Sequence, residues 1–209
     1  RSTRKSAGDY SYHLENLVQA LKKHEQHDFF KQVSPLAEKM ILCMNSIKIE
    51  APKVLRHIHG DPKISNLMFK DDEAICLVDF DTLQKNSWSF ELADAFRSWC
   101  NPFKEDELKA FADLNIADKA LKGYAKVMKG QFDLFESENL AAHCQAVSLC
   151  LSTRYLADVL NENYFNFDEK RFARRSEHNW LRAQAMFNLY QDFFAKKHEL
   201  LSMIKDHLL

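Results

Sequence analysis

Glycine and proline are scarce: this chain of 209 residues has four of each. So few turn-formers exclude a long run of short, tightly turned strands, the pattern of β-sandwiches and barrels. Charge of one sign is also lacking. With 29 basic and 30 acidic residues, the formal net charge is −1, which leaves no global electrostatic footprint for nucleic acid or an anionic membrane. No apolar run approaches the roughly 20 residues that a membrane span requires, and no signal-peptide pattern opens the chain. The five cysteines, Cys43, Cys76, Cys100, Cys144 and Cys150, contain no C-x-x-C pair and are odd in number. They read as free thiols, mostly in apolar surroundings, of a protein in a reducing, cytoplasmic compartment.

What the chain has in quantity is hydrophobic residues, 46%, enough for the core of one domain, and the helix formers Leu, Ala, Lys and Glu. Helical spacing predicts a helix over about 10–24, where Leu14, Leu17, Val18 and Leu21 share a face. Ser34 before Pro35 reads as an N-cap and first helical position, opening a helix to about Ile47. The period then shortens. "KVLRHIHG" is a β-like run, and "NLMFKDDEAICLVDF" reads as a hairpin with its turn at Asp71 to Glu73. Beyond Asp81 the chain is loop-like to about Trp88. Helices are expected over about 90–100, 104–129 with a break near Leu114 to Ala117, 137–162 and 177–208. The expected class is α+β, mostly helical, as one unit: residues 1–9 a linker, 10–53 leading helices, 54–86 the β insert, and 87–209 helical.

The residues able to do chemistry gather in the insert. Asp61 follows the first strand, Asn66 opens the next, and Asp79 ends the last. A hairpin sets the start of one strand beside the end of the other, so Asn66 and Asp79 converge at its open end. Hard oxygen donors of this kind suit Mg²⁺, which takes one or two carboxylates plus phosphate oxygens. Asp61, on the loop, is free to accept a proton from a hydroxyl. This is the division of labour in kinase-type phosphoryl transfer. Asp and Asn are also common at turns for local reasons. The joint pattern of His59, Gly60, Asp61, Asn66 and Asp79, each met by chance about one time in twenty, is rare in a chain of this length.

"HGDPKISN" followed by "ICLVDFDT" resembles the aminoglycoside phosphotransferase and choline kinase family, small-molecule kinases with the protein-kinase fold. "ELADAFRSWCNP", "RYLADVLNENYF" and "HNWLRAQAMFNL" look like the branch containing N-acetylhexosamine 1-kinases. The resemblance runs from about residue 30 to the C-terminus. It implies Asp61 as catalytic base, Asn66 and Asp79 as Mg²⁺ ligands, ATP as co-substrate and His59 with Gly60 as scaffold of the loop. It also sets Lys63 where many protein kinases touch the transferred phosphate, unless it is a solvated loop lysine. Asp81 stands in the place of a protein-kinase glycine, as an added metal contact or a turn cap. Asp94 matches an aspartate that braces the catalytic loop by accepting backbone N–H bonds. Arg97 reaches a substrate hydroxyl or phosphate, or else forms a surface or core-rim salt bridge. Arg154 and Tyr155, with Tyr164 and Phe165, are candidates to wall a sugar pocket, or are core. The basic "EKRFARR" at 169–175 reads as a solvated linker or helix face ahead of an anion site, and His24, His27, His143, His178, His198 and His207 show no metal-ligand spacing.

Gly8, Gly60, Gly123 and Gly130 form no G-x-G-x-x-G, and the first residue is Arg. The expectation is therefore a C-terminal lobe alone, a piece of a longer protein, with little activity of its own because the nucleotide lobe is missing. Its partners are then that lobe and a small hydroxyl compound, a sugar or amino sugar ahead of an aminoglycoside or amino alcohol, with no nucleic acid and no membrane. Two other readings stay open: a degenerate kinase-like lobe that binds a metabolite or protein, and a helical interaction protein whose loop match is accidental.

Overall fold

A computed structural model describes residues 9–209; the linker expected at 1–9 otherwise lies outside the described residues. Asp9 is the N-cap of helix α1 (Tyr10–Lys23), its carboxylate accepting from the Tyr12 N–H. Helix α2 (Phe30–Ser46) begins four residues before Ser34, so Pro35 sits inside it and not at its start. The Ser-Pro pair is a local start marker, but Val33, Ala37, Met40 and Met44 form one buried stripe, and burial of that stripe carries the helix past it. The carbonyl of Lys31, deprived of a donor by Pro35, belongs to an exposed residue that water can serve.

The β part is two separate two-stranded antiparallel pairs. Strands β2 (Leu67–Lys70) and β3 (Glu73–Leu77) form the expected hairpin, with Leu67 opposite Leu77 and a bulge between Met68 and Phe69. Asp71 takes the left-handed turn conformation at φ 54°. The other pair was only half legible: β1 (Arg56–Ile58) is joined by β4 (Gln84–Asn86), in a stretch expected to be loop. Gln-Lys-Asn has no strand propensity of its own; the open edge of β1 supplies the pairing. The hairpin stands clear of the core, with Met68, Phe69 and Ile75 each more than half exposed.

The remaining helices are α3 (Trp88–Trp99), α4 (Leu114–Met128), α5 (Leu134–Asn161), α6 (Arg175–Ala195) and α7 (Lys197–Leu208). Residues 104–113 are turns, and α4 starts where Asp113 accepts from the Asn115 and Ile116 N–H groups. The single helix expected over 177–208 is two. It breaks at Lys196, whose ammonium donates to the Ala112 carbonyl and to Asp192. With no glycine or proline there, the sequence carried no sign of the break.

Helix α5 is the axis of the domain, packed against α1, α2, α3, α6 and α7. A helix surrounded on all sides needs no amphipathic stripe, but its polar side chains need partners. They find them nearby: Ser148 and Gln145 donate to carbonyls one turn back, Thr153 to Cys150, and Ser152 to the Ala183 carbonyl of α6. Cys100, Cys144 and Cys150 are buried as free thiols; Cys76, on the hairpin, is exposed. No helix of the described residues is long and apolar enough to cross a membrane.

His143 of α5 lies in this core as a neutral ring. The Tyr10 hydroxyl meets its Nδ1 at 2.9 Å, and burial pulls its pKa from 6.5 down to about 4. In the unfolded chain it protonates first, so below pH 6.5 the unfolded state binds the extra proton and stability falls until the folded pKa is reached. Acidification from pH 7 to pH 4 is expected to cost about 3 kcal/mol through this group. Denaturant titrations in His143→Gln should show a correspondingly shallower loss over that window.

Candidate active site

The loop after β1 is fixed from both sides. His59 Nε2 donates to the Val78 carbonyl at 2.9 Å and its Nδ1 accepts from the Asp61 N–H at 3.3 Å, which defines a neutral ring protonated on Nε2. Phe80 covers its face at 5.0 Å. The Thr82 hydroxyl donates to the His59 carbonyl at 2.8 Å. Gly60 has φ +82°, and a Cβ there would stand 2.6 Å from the Thr82 carbonyl oxygen. Glycine is thus required twice, by conformation and by space.

From the other side, α3 holds the loop through a residue the sequence reading passed over. Glu91 takes the His59 N–H on Oε1 at 2.8 Å and the Gly60 N–H on Oε2 at 2.9 Å. That is the bracing role read for Asp94, moved one turn earlier on the same helix. Burial raises the Glu91 pKa, although the two backbone N–H groups pull against it. The pair of carboxylates in "FELAD" was visible, but not which of them faced the loop. Further along α3, the Ser98 hydroxyl accepts from the Ile64 N–H and Trp99 Nε1 donates to the Pro62 carbonyl.

Asp94 is buried and holds Arg97 instead, Oδ1 to Nε at 3.0 Å. Its Oδ2 has no partner, and burial pushes its pKa up. Arg97 takes the ion-pair alternative. Its side chain is only 6% exposed and is spent on three carboxylates: Asp94, Glu105 through Nη1 at 2.7 Å, and Asp61 through Nη2 at 3.8 Å. Those carboxylates hold its pKa above the ordinary arginine range against the effect of burial.

Asp61 therefore sits between two cations, with Lys63 Nζ 2.7 Å from Oδ2 on one side and Arg97 on the other. Asn66 donates through Nδ2 to the Asp61 carbonyl at 2.9 Å and approaches Oδ2 at 3.4 Å. With its amide nitrogen so occupied, Oδ1 is the atom available to a cation. The Val78 N–H bonds the Asn66 carbonyl at 2.9 Å, which sets Asp79, the next residue, at the same open end of the hairpin. Asp79 is exposed in the left-handed conformation, φ 69°, an arrangement of the kind retained where function requires it. Asp81 is exposed on the following 3₁₀ turn, Phe80–Thr82. Among the described residues no group of three or more His, Cys, Asp or Glu side chains could hold a metal ion by itself. One amide oxygen and one carboxylate remain, a donor set that suits Mg²⁺ only when phosphate oxygens complete it.

A cavity of about 570 Å³ opens beside the loop, lined by Lys63, Arg97, Glu105, Asp106, Arg171 and Arg182 among others. Arg171 and His178 both bind Asp106, tying the segment before α6 to this wall. Arg154 does not reach this space. It lines a different cavity of about 450 Å³ between α1 and α5, over the rings of Tyr164 and Phe165. The sequence reading grouped Tyr155 with Arg154, but its hydroxyl turns towards the loop and donates to Glu105.

No curated protein matches the chain. A sequence model described as the phosphotransferase enzyme family, APH, matches residues 4–127, a span that contains the loop, the hairpin and α3. It covers more than half of the chain, and on it the chain belongs to the phosphotransferase enzyme family.

Proposed function

We propose that this chain carries the catalytic loop of an ATP-dependent small-molecule kinase that phosphorylates a hydroxyl of a sugar or amino sugar. The observation that carries the reading is the environment of Asp61, a carboxylate held by Lys63, Arg97 and Asn66, of which Lys63 and Arg97 line the adjoining cavity. Asp61 receives the proton of the attacking hydroxyl. Asn66 Oδ1 and Asp79 would hold Mg²⁺, which supplies charge neutralisation on the nucleotide phosphates when bound. Lys63, already paired with Asp61, is close enough to shift towards a transferred phosphate. The hairpin that leads to Asp79 leaves Met68, Phe69 and Ile75 uncovered, which supports a site completed by a nucleotide-binding lobe. The mixed charge of the cavity wall favours a neutral sugar over the polycationic aminoglycosides, and the N-acetylhexosamine 1-kinase branch is the resemblance most in keeping with it.

ADP release with Mg-ATP and a panel of sugars, amino sugars and amino alcohols tests this, in the chain alone and with a nucleotide-binding lobe joined ahead of it. Turnover is expected only in the joined protein. Asp79→Asn should raise the Mg²⁺ concentration needed for half-maximal rate about tenfold or more, since it removes the carboxylate of the proposed ligand pair. Near-normal turnover by the chain alone would refute the need for the lobe, and no turnover in the joined protein would refute the kinase.

A further inference from the structure

The guanidinium of Arg97 carries Asp61 on one terminal nitrogen and Glu105 on the other. The terminal nitrogens of one planar guanidinium are neighbours, so two carboxylates held in this way stand side by side. They are not equivalent. The Asp61 side chain is 23% exposed, that of Glu105 is 42% exposed, and Arg97 beneath them is 6% exposed. What a ligand in the 570 Å³ cavity meets is Glu105 with the edge of Arg97, and Asp61 adjoins this wall through Arg97 and through Lys63, which also lines the cavity. Glu105 is also held against rotation, because the Tyr155 hydroxyl donates to its other oxygen, Oε2. Tyr155 is itself pinned between Phe165 at 4.3 Å and the guanidinium of Arg182 over its ring.

A carboxylate fixed at both oxygens and still open to a cavity is an acceptor waiting for donors. We propose that Glu105 positions the phosphoryl acceptor by taking a hydrogen bond from the donor group on C2, next to a reacting hydroxyl on C1, so that the site selects a sugar with donors on both of these carbons. One is the hydroxyl that gives its proton to Asp61; the other is a hydroxyl or amide N–H held by Glu105. The inference rests on the kinase reading for the role of Asp61, but the recognition of the donor pair needs no nucleotide and no transfer.

Binding is therefore the direct test. Calorimetry of the chain with glucose, N-acetylglucosamine and 2-deoxyglucose should show the first two bound about tenfold more tightly than the deoxy sugar, the loss expected when a charged acceptor is left unpaired. Glu105→Gln should bind all three equally weakly. Tyr155→Phe, which leaves the charge but frees the carboxylate, should show a smaller loss of the same preference; it also serves if Glu105→Gln does not fold, as judged by its melting curve. Equal binding of glucose and 2-deoxyglucose by the unaltered chain would overturn the proposal, as would undiminished discrimination in the variants or no binding of any of the three. ADP release on a different class of acceptor would then leave the kinase reading standing, whereas tight, Glu105-dependent sugar binding without turnover in the joined protein would remove that reading and keep this site.

Discussion

Exchange of Asp61 for asparagine should lower phosphoryl transfer 10²–10⁴-fold, the usual contribution of a positioned general base, while nucleotide affinity stays within about threefold. The geometry gives the asymmetry. Asparagine keeps the shape of the side chain, and the backbone carbonyl that accepts from Asn66 is untouched. What it loses is the negative charge between Lys63 and Arg97 and the oxygen that accepts the proton. Arg97 keeps Asp94 and Glu105 as partners, so no buried cation is stranded and the fold should hold. Measured in the protein joined to a nucleotide-binding lobe, with Mg-ATP and an accepted sugar, the fall should lie in kcat. A fall in nucleotide affinity with kcat preserved would show that Asp61 is not the base.

Gly60→Ala should be the most damaging small substitution in the loop. The backbone at φ +82° disfavours any side chain, and the added carbon would stand 2.6 Å from the Thr82 carbonyl and 2.7 Å from the Gln84 amide nitrogen. Gln84 can swing away, but the Thr82 carbonyl is backbone. Relief requires the loop to separate from the 3₁₀ turn Phe80–Thr82, and the two N–H bonds to Glu91 strain with it. The expected cost is about 3 kcal/mol, from unfavourable φ and the clash together, or roughly 6–12 °C in melting temperature for a chain of this size. The same substitution at Gly123, where nothing lies within 4 Å, should be neutral or slightly stabilising, as alanine is the better helix former. Equal melting temperatures for the two variants would refute the argument.

The parts of the molecule that were legible in the sequence are those where chemistry or local backbone dictates residue type. His59, Gly60 and Asp61 could be placed on one tight loop, with Asn66 and Asp79 at the ends of the hairpin, because a turn at positive φ and a strand boundary each accept few residue types. The hairpin was legible from alternation and its acidic turn. Other features depend on tertiary partners and left no local trace. Strand β4 exists because β1 has an edge to fill. Glu91 and Asp94 are indistinguishable carboxylates until the direction of α3 is known. Glu105 stands in a turn segment expected to be helix, and its meaning comes from Arg97, eight residues earlier, and Tyr155, fifty residues later. The Ser34-Pro35 start failed for the opposite reason: a genuine local preference was outweighed by the burial of Val33 and Met40.

The attachment of the loop to α3 has a consequence for motion. Glu91, Ser98 and Trp99 together hold the backbone from His59 to Ile64 by four hydrogen bonds, and α3 is packed along the central helix α5. Segments that open on the microsecond-to-millisecond scale are drawn from parts with few such anchors; this loop has the anchors of a core element. Ordering it on ligand binding costs almost no entropy, because folding has already removed its freedom. In hydrogen exchange the amides of His59, Gly60 and Ile64 should open with the domain as a whole, and the exposed hairpin, which lacks such anchors, should open well before this loop.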